Sequence, residues 1–129
     1  MNLLTEAMPD ALLIRVAESR IDAAVAIRFK DRMRELIGAA TGRVVLDLSR
    51  VTFLDSSGLG AVVAVMKHLG PTRRLELAAL TPPVAKVFRL TRMDSVFTIH
   101  SQVPEAAAPG VDADADADAD GASGLSRAG

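Results

Sequence analysis

Val44-Val45-Leu46-Asp47-Leu48-Ser49-Arg50-Val51-Thr52-Phe53-Leu54-Asp55-Ser56-Ser57-Gly58-Leu59-Gly60 contains the change of period that decides the fold. Its first half is a β-branched apolar run, Val44-Val45-Leu46 continued by Leu48, the composition of a buried strand. A short link through Arg50 and Phe53 leads to Asp55-Ser56-Ser57-Gly58, residue types that cap helices. Behind them Leu59, Val62, Val63, Met66 and Leu69 recur at helical spacing and predict one apolar face. Gly70-Pro71 stops that helix. Ser56 and Ser57 therefore stand at the positive end of a helix dipole, just past a buried strand.

Free backbone N–H groups in a first helical turn favour a negative charge on either hydroxyl. Gly58 and Gly60 carry no side chain to block a close approach. Two readings stay open on spacing alone: the stretch is a helix cap with glycines for packing, or the hydroxyls face a ligand or partner.

Before this stretch, residues 3–8 and 11–17 read as a hairpin around Pro9-Asp10, with Leu12, Ile14 and Val16 alternating with Leu13, Arg15 and Ala17. Asp22 is positioned to cap a helix starting at Ala23. Ala26, Phe29, Met33 and Leu36 give that helix its apolar face, opposite Arg28, Lys30, Arg32 and Glu35, and Gly38 to Gly42 ends it. After Pro71, residues 75–80 read as a strand and Thr81-Pro82-Pro83 opens a third helix. Its apolar face is Val84, Val87, Phe88 and Leu90, its basic side Lys86, Arg89 and Arg92. Asp94-Ser95 breaks it, and Val96 to Ile99 is a last strand. The order β-β-α-β-α-β-α-β predicts an α/β fold: a mixed sheet of four to five strands, parallel among the later ones, with helices packed on it.

A chain of 129 residues supports one domain. It has no cysteine, so disulfides and thiolate metal sites are excluded. The apolar runs are too short for a bilayer and no signal-peptide pattern opens the chain, so a cytoplasmic protein without membrane contact is expected. Of its 15 Lys/Arg and 16 Asp/Glu, six acids and one base fall in residues 105–129, leaving residues 1–104 a net charge of +4. That is too mild for a nucleic-acid footprint, and Trp and Tyr are absent. From Gln102 onward the chain turns alanine-rich, then alternates Asp and Ala from Asp112 to Asp120. Such a segment repels itself and buries little, so residues 102–129 are expected to be a disordered acidic tail. The repeat lacks the glycines of a calcium loop, and neither metal nor cofactor is expected.

Catalysis by Ser56 needs a base. His68 lies twelve residues down the same helix, about 18 Å away at 1.5 Å per residue. His100 ends a strand, and there is no Gly-x-Ser-x-Gly elbow. The glycine loop and lysine of a phosphate-binding loop are also missing. The chain is not expected to be an enzyme.

Val45-Leu46-Asp47-Leu48 through Leu54-Asp55-Ser56-Ser57-Gly58-Leu59-Gly60 resembles the signature of the STAS domain, found in sulphate transporters and anti-sigma factor antagonists. The resemblance spans roughly residues 1–101 and is nearest to the free-standing bacterial antagonists. It extends to Arg20-Ile21-Asp22-Ala23, and to Pro83, Val87, Leu90-Thr91, Met93-Asp94 and Val96-Phe97-Thr98-Ile99. It implies that the first serine after the aspartate, Ser56, is phosphorylated by a partner that is both a serine kinase and an anti-sigma factor. The unphosphorylated form would bind that partner and release the sigma factor, and a metal-dependent phosphatase would restore the serine. Asp22, Asp55, Ser57 and Gly58 would line the docking surface with Ser56. The same resemblance admits a STAS phospho-switch subunit with a non-sigma output (secretion, motility or transport), or an anion- or nucleotide-binding STAS module. This chain departs from the pattern at Ser19-Arg20-Ile21-Asp22, where a glycine-glutamate-hydrophobic-aspartate run is common, and at Arg92, where a glycine is common. Where the family commonly finishes with another amphipathic helix, residues 102–111 offer only Glu105-Ala-Ala-Ala, from which at most one or two turns are expected.

Overall fold

The computed structural model describes residues 1–38 and 42–104. The acidic repeat lies outside the described residues. The chain runs through β1 (Leu3–Ala7), β2 (Ala11–Val16), β3 (Arg20–Ile21), α1 (Ala26–Gly38), β4 (Arg43–Asp47), β5 (Phe53–Leu54), α2 (Ser56–Leu69), β6 (Leu75–Ala78), α3 (Pro82–Leu90), a 3-10 turn at Met93–Ser95, and β7 (Thr98–His100). Five strands form one mixed sheet, as the alternation of strands and helices predicts, and they lie in the order β1-β2-β4-β6-β7. β1 and β2 are antiparallel, and the remaining neighbours are parallel.

From β2 the chain adds each parallel strand further in the same direction. Right-handed crossovers that progress one way put their helices on one face. The main core accordingly sits under all three helices: Phe29 and Met33 of α1, Val62 and Val65 of α2, and Val84 and Phe88 of α3 pack with Ile14, Val16, Val44, Leu46 and Leu77. Phe88 meets Phe97 edge-on, with centroids 5.8 Å apart.

Several sequence expectations shift here for physical reasons. α1 begins at Ala26 and not at Ala23, because Asp22 first closes a turn: its carbonyl accepts from Val25 and Ala26, and its Oδ1 from Ala24 at 3.1 Å. Ile37, and not Leu36, completes the buried stripe of α1. In α2 the innermost residues are Gly58, Ala61, Val62, Val65 and Leu69, with Leu59, Val63 and Met66 half-buried at the sides. Leu90 is 70% exposed, since α3 ends at that residue. The last strand begins at Thr98 and not at Val96, which still belongs to the 3-10 turn through its N–H to the Met93 carbonyl. Arg92 keeps the turn a glycine would make by adopting φ 61°, ψ 18°, a left-handed conformation that strains a side-chain-bearing residue.

The helix-free face of the sheet holds a second, smaller cluster of Ala11, Leu13, Val45 and Ala78, against which Met8 and Val103 pack. Leu13 breaks the alternation of β2 because that strand is buried on both faces. Charges frame the cluster. Arg43 grips Glu76 with Nε and Nη2 at 3.1 and 3.2 Å and reaches Asp10 at 2.8 Å; His100 Nε2 lies 2.7 Å from Glu76; Arg15 lies 3.4 Å from Asp47.

Burial works against the charge on Glu76, but hydrogen bonds from Arg43 and His100 outweigh it and hold the carboxyl below its ordinary value of 4.5. The hydrogen bond to Glu76 likewise raises Arg43. A depressed folded-state pKa stabilises the fold above 4.5, and that contribution disappears as pH falls through the folded value. Glu76→Gln is therefore expected to be less stable than wild type at neutral pH and to lose less on acidification. Urea melts from pH 7 downward measure both slopes, and parallel curves would remove Glu76 from the acid response.

Candidate functional site

Two short pairs of residues build the site. β3 and β5 form a two-stranded parallel ladder in which Arg20 faces Phe53 and Ile21 faces Leu54. Two-residue strands leave no periodic trace in the sequence. It carries the chain directly into α2: the Asp55 N–H reaches the Ile21 carbonyl at 3.4 Å, and Ser56 follows as the first helical residue.

Asp55 holds the junction together. One carboxylate oxygen accepts from the Gly58 N–H at 2.8 Å, the N-cap bond of α2, while the other accepts from the Ala23 N–H at 3.1 Å. A single side chain thus ties α2 to the turn ahead of α1. Asp22, in that turn, also receives Arg20 Nε at 3.2 Å, and the Arg20 guanidinium lies 4.1 Å above the ring of half-exposed Phe53. Arg20 and Phe53 belong to this surface beside Asp22 and are not among the site residues expected from the sequence.

Ser56 and Ser57 are both exposed, and Asp22 and Asp55 are half-buried beside them. Gly58 differs from its expected role. It is buried, and a Cβ there would lie 2.0 Å from the Ile21 carbonyl oxygen, so the glycine lets α2 sit against β3 and does not line a surface. Capping falls to Asp55, which leaves the Ser56 hydroxyl outward at the positive end of the helix. Neither histidine stands beside it: His68 is exposed in the last turn of α2, and His100 pairs with Glu76 on the helix-free face. Among the described residues no group of three or more His, Cys, Asp or Glu is arranged to hold a metal ion, and no helix is long and apolar enough to cross a membrane.

The STAS domain family model matches residues 2–106. BtrV of Bordetella bronchiseptica, a candidate anti-sigma factor antagonist by name, is 31% identical over 100 residues, covering 77% of this chain and 86% of that protein. An anti-sigma factor antagonist from Mycobacterium paratuberculosis superposes with a TM-score of 0.72 at 24% identity, covering 79% and 86% of the two chains. The Bacillus cell fate determinant SpoIIAA in its phosphorylated form superposes with a TM-score of 0.57 at 22% identity, covering 76% and 90%. The two structural matches show a common fold. With the family model spanning the sheet and all three helices, and a relative of 31% identity named as a candidate anti-sigma factor antagonist, the chain belongs to the STAS domain family.

Proposed function

We propose that this chain is an anti-sigma factor antagonist switched at Ser56. In its unphosphorylated form it binds a cytoplasmic protein that is at once a serine kinase and an anti-sigma factor, and so releases the sigma factor. Phosphate transferred to Ser56 ends that binding, and a serine phosphatase restores it. Asp22, Asp55, Ser56 and Ser57 form the docking surface.

The observation that carries this reading is the division of labour at the helix start. Asp55 satisfies the first-turn N–H of Gly58, so Ser56 is not needed as a cap and its hydroxyl is exposed. A phosphate there adds about −1.5 to −2 charges, which the helix terminus favours by roughly 0.3–1 kcal/mol, so the fold tolerates the modification. BtrV, the relative named as a candidate antagonist, and a SpoIIAA of the same fold in a phosphorylated form support the same reading.

Incubation with ATP and the serine kinase encoded nearest to this chain in its genome, followed by peptide mass spectrometry, tests it. Phosphate is expected on Ser56 and is lost in Ser56→Ala. Phosphate that persists in that variant would refute the assignment.

A further inference from the structure

β7 is an edge strand that follows α3 through the 3-10 turn, and Val103 beyond it still packs against the sheet. The acidic repeat is therefore tethered close to the C-terminal end of α3. Between Pro82 and Phe97 the chain carries three cations, Lys86, Arg89 and Arg92, against one acid, Asp94. All three are exposed, and among the described residues none is paired with a carboxylate. The negative end of the helix dipole offsets only about half a charge. Other basic surfaces hold counter-charges of their own. On the helix-free face Arg15 is paired with Glu6 and Asp47, and Arg43 with Asp10 and Glu76. The arginines of α1 are interleaved with Asp31 and Glu35. Arg92 is moreover held at φ 61°, a conformation that glycine would adopt without strain.

We propose that Asp112 to Asp120 of the same chain dock on this end of α3, pairing with Lys86, Arg89 and Arg92. The alternation supplies the complementarity: in an extended chain every second side chain points the same way, so all five aspartates can face the helix together. The tether supplies the reach. Eight residues separate Val103 from Asp112 and extend to about 28 Å, over twice the diameter of a helix, about 10–12 Å. A linker this short presents the repeat at about millimolar local concentration, so ion pairs too weak to hold a separate peptide still hold this one. Pairing also relieves the repulsion among the five like charges. An acidic segment of another protein then reaches α3 only by displacing the repeat, which acts as a built-in competitor. This pairing does not depend on the reading of Ser56.

The chain has no cysteine, so a nitroxide placed on Ala117→Cys in the full-length protein labels one position. Amide spectra before and after reduction of the nitroxide then locate the repeat. At low salt the amides from Lys86 to Arg92 are expected to be broadened several-fold more than those of α1. That difference should vanish at about 1 M salt, where screening acts beyond about 3 Å. It should also vanish in full-length Lys86→Glu with Arg89→Glu, with the amides of β2 and β4 reporting that the fold is kept. Asp114→Asn with Asp116→Asn and Asp118→Asn should have the same effect while leaving α3 untouched. Broadening spread evenly over the surface, concentrated on α1, or unchanged by salt or by the aspartate substitutions would overturn the pairing. Equal broadening of α3 in an isotope-labelled chain without nitroxide, mixed with a nitroxide-bearing chain, would overturn the docking within one molecule in favour of a second copy.

Discussion

Gly58→Ala is expected to destabilise the fold by about 3 kcal/mol, at the upper end of what overpacking usually costs. The added Cβ would lie 2.0 Å from the Ile21 carbonyl oxygen, 2.9 Å from the Ile21 carbonyl carbon and 2.8 Å from Leu54 Cδ1. Two of those atoms are backbone and cannot swing aside. Relief requires α2 to lift from β3, which strains the Asp55 N–H to Ile21 contact and the β3–β5 ladder. At roughly 4 °C per kcal/mol for a domain of this size, the melting temperature should fall by about 12 °C. Gly60→Ala, two residues further along the same helix, is expected to change stability in the opposite direction. A Gly58→Ala protein as stable as wild type would show that the helix start is not pressed against β3.

The second large effect concerns binding. Phosphate on Ser56 is expected to weaken docking of the kinase more than about a hundredfold, corresponding to about 3 kcal/mol. The added charge sits next to half-buried Asp55 and on the same surface as Asp22. In the free protein, water screens this repulsion and the helix terminus offsets part of it. In the complex, the partner excludes water from the same charges, and an uncompensated phosphate becomes costly by a few kcal/mol. Titration calorimetry on the phosphorylated and unphosphorylated proteins gives the ratio directly. Ser56→Asp, with one charge, should fall between them, and a Ser56→Asp protein that binds as tightly as wild type would contradict the repulsion.

The order of elements and the main sheet are legible in the sequence because the change from strand to helix period at Asp55 is sharp and the β4 run is apolar throughout. The exposed hydroxyl at the start of α2 is legible for the same reason. What is not legible depends on residues far apart in the chain. The β3–β5 ladder is too short to leave a pattern, yet it aims Asp55 and brings Arg20 over Phe53. Gly58 and Gly60 look alike in the sequence. They differ only in what lies opposite, the Ile21 carbonyl for one and open space for the other. Asp22 is expected to cap a helix from Ala23, and instead it closes a turn ahead of α1, which starts at Ala26. The departure at Arg92 alters the backbone less than its residue type implies, since the left-handed turn is kept at the cost of strain.

Phosphate on Ser56 is expected to act locally, changing what the surface repels and leaving the domain in place. Backbone amide spectra before and after phosphorylation test this most directly. The account predicts shifts confined to the start of α2 and the facing segment from Arg20 to Ala24, with amides of β2, β4 and β6 unmoved. Shifts spread through the central strands would contradict it and would mean that the partner is released by a change of fold.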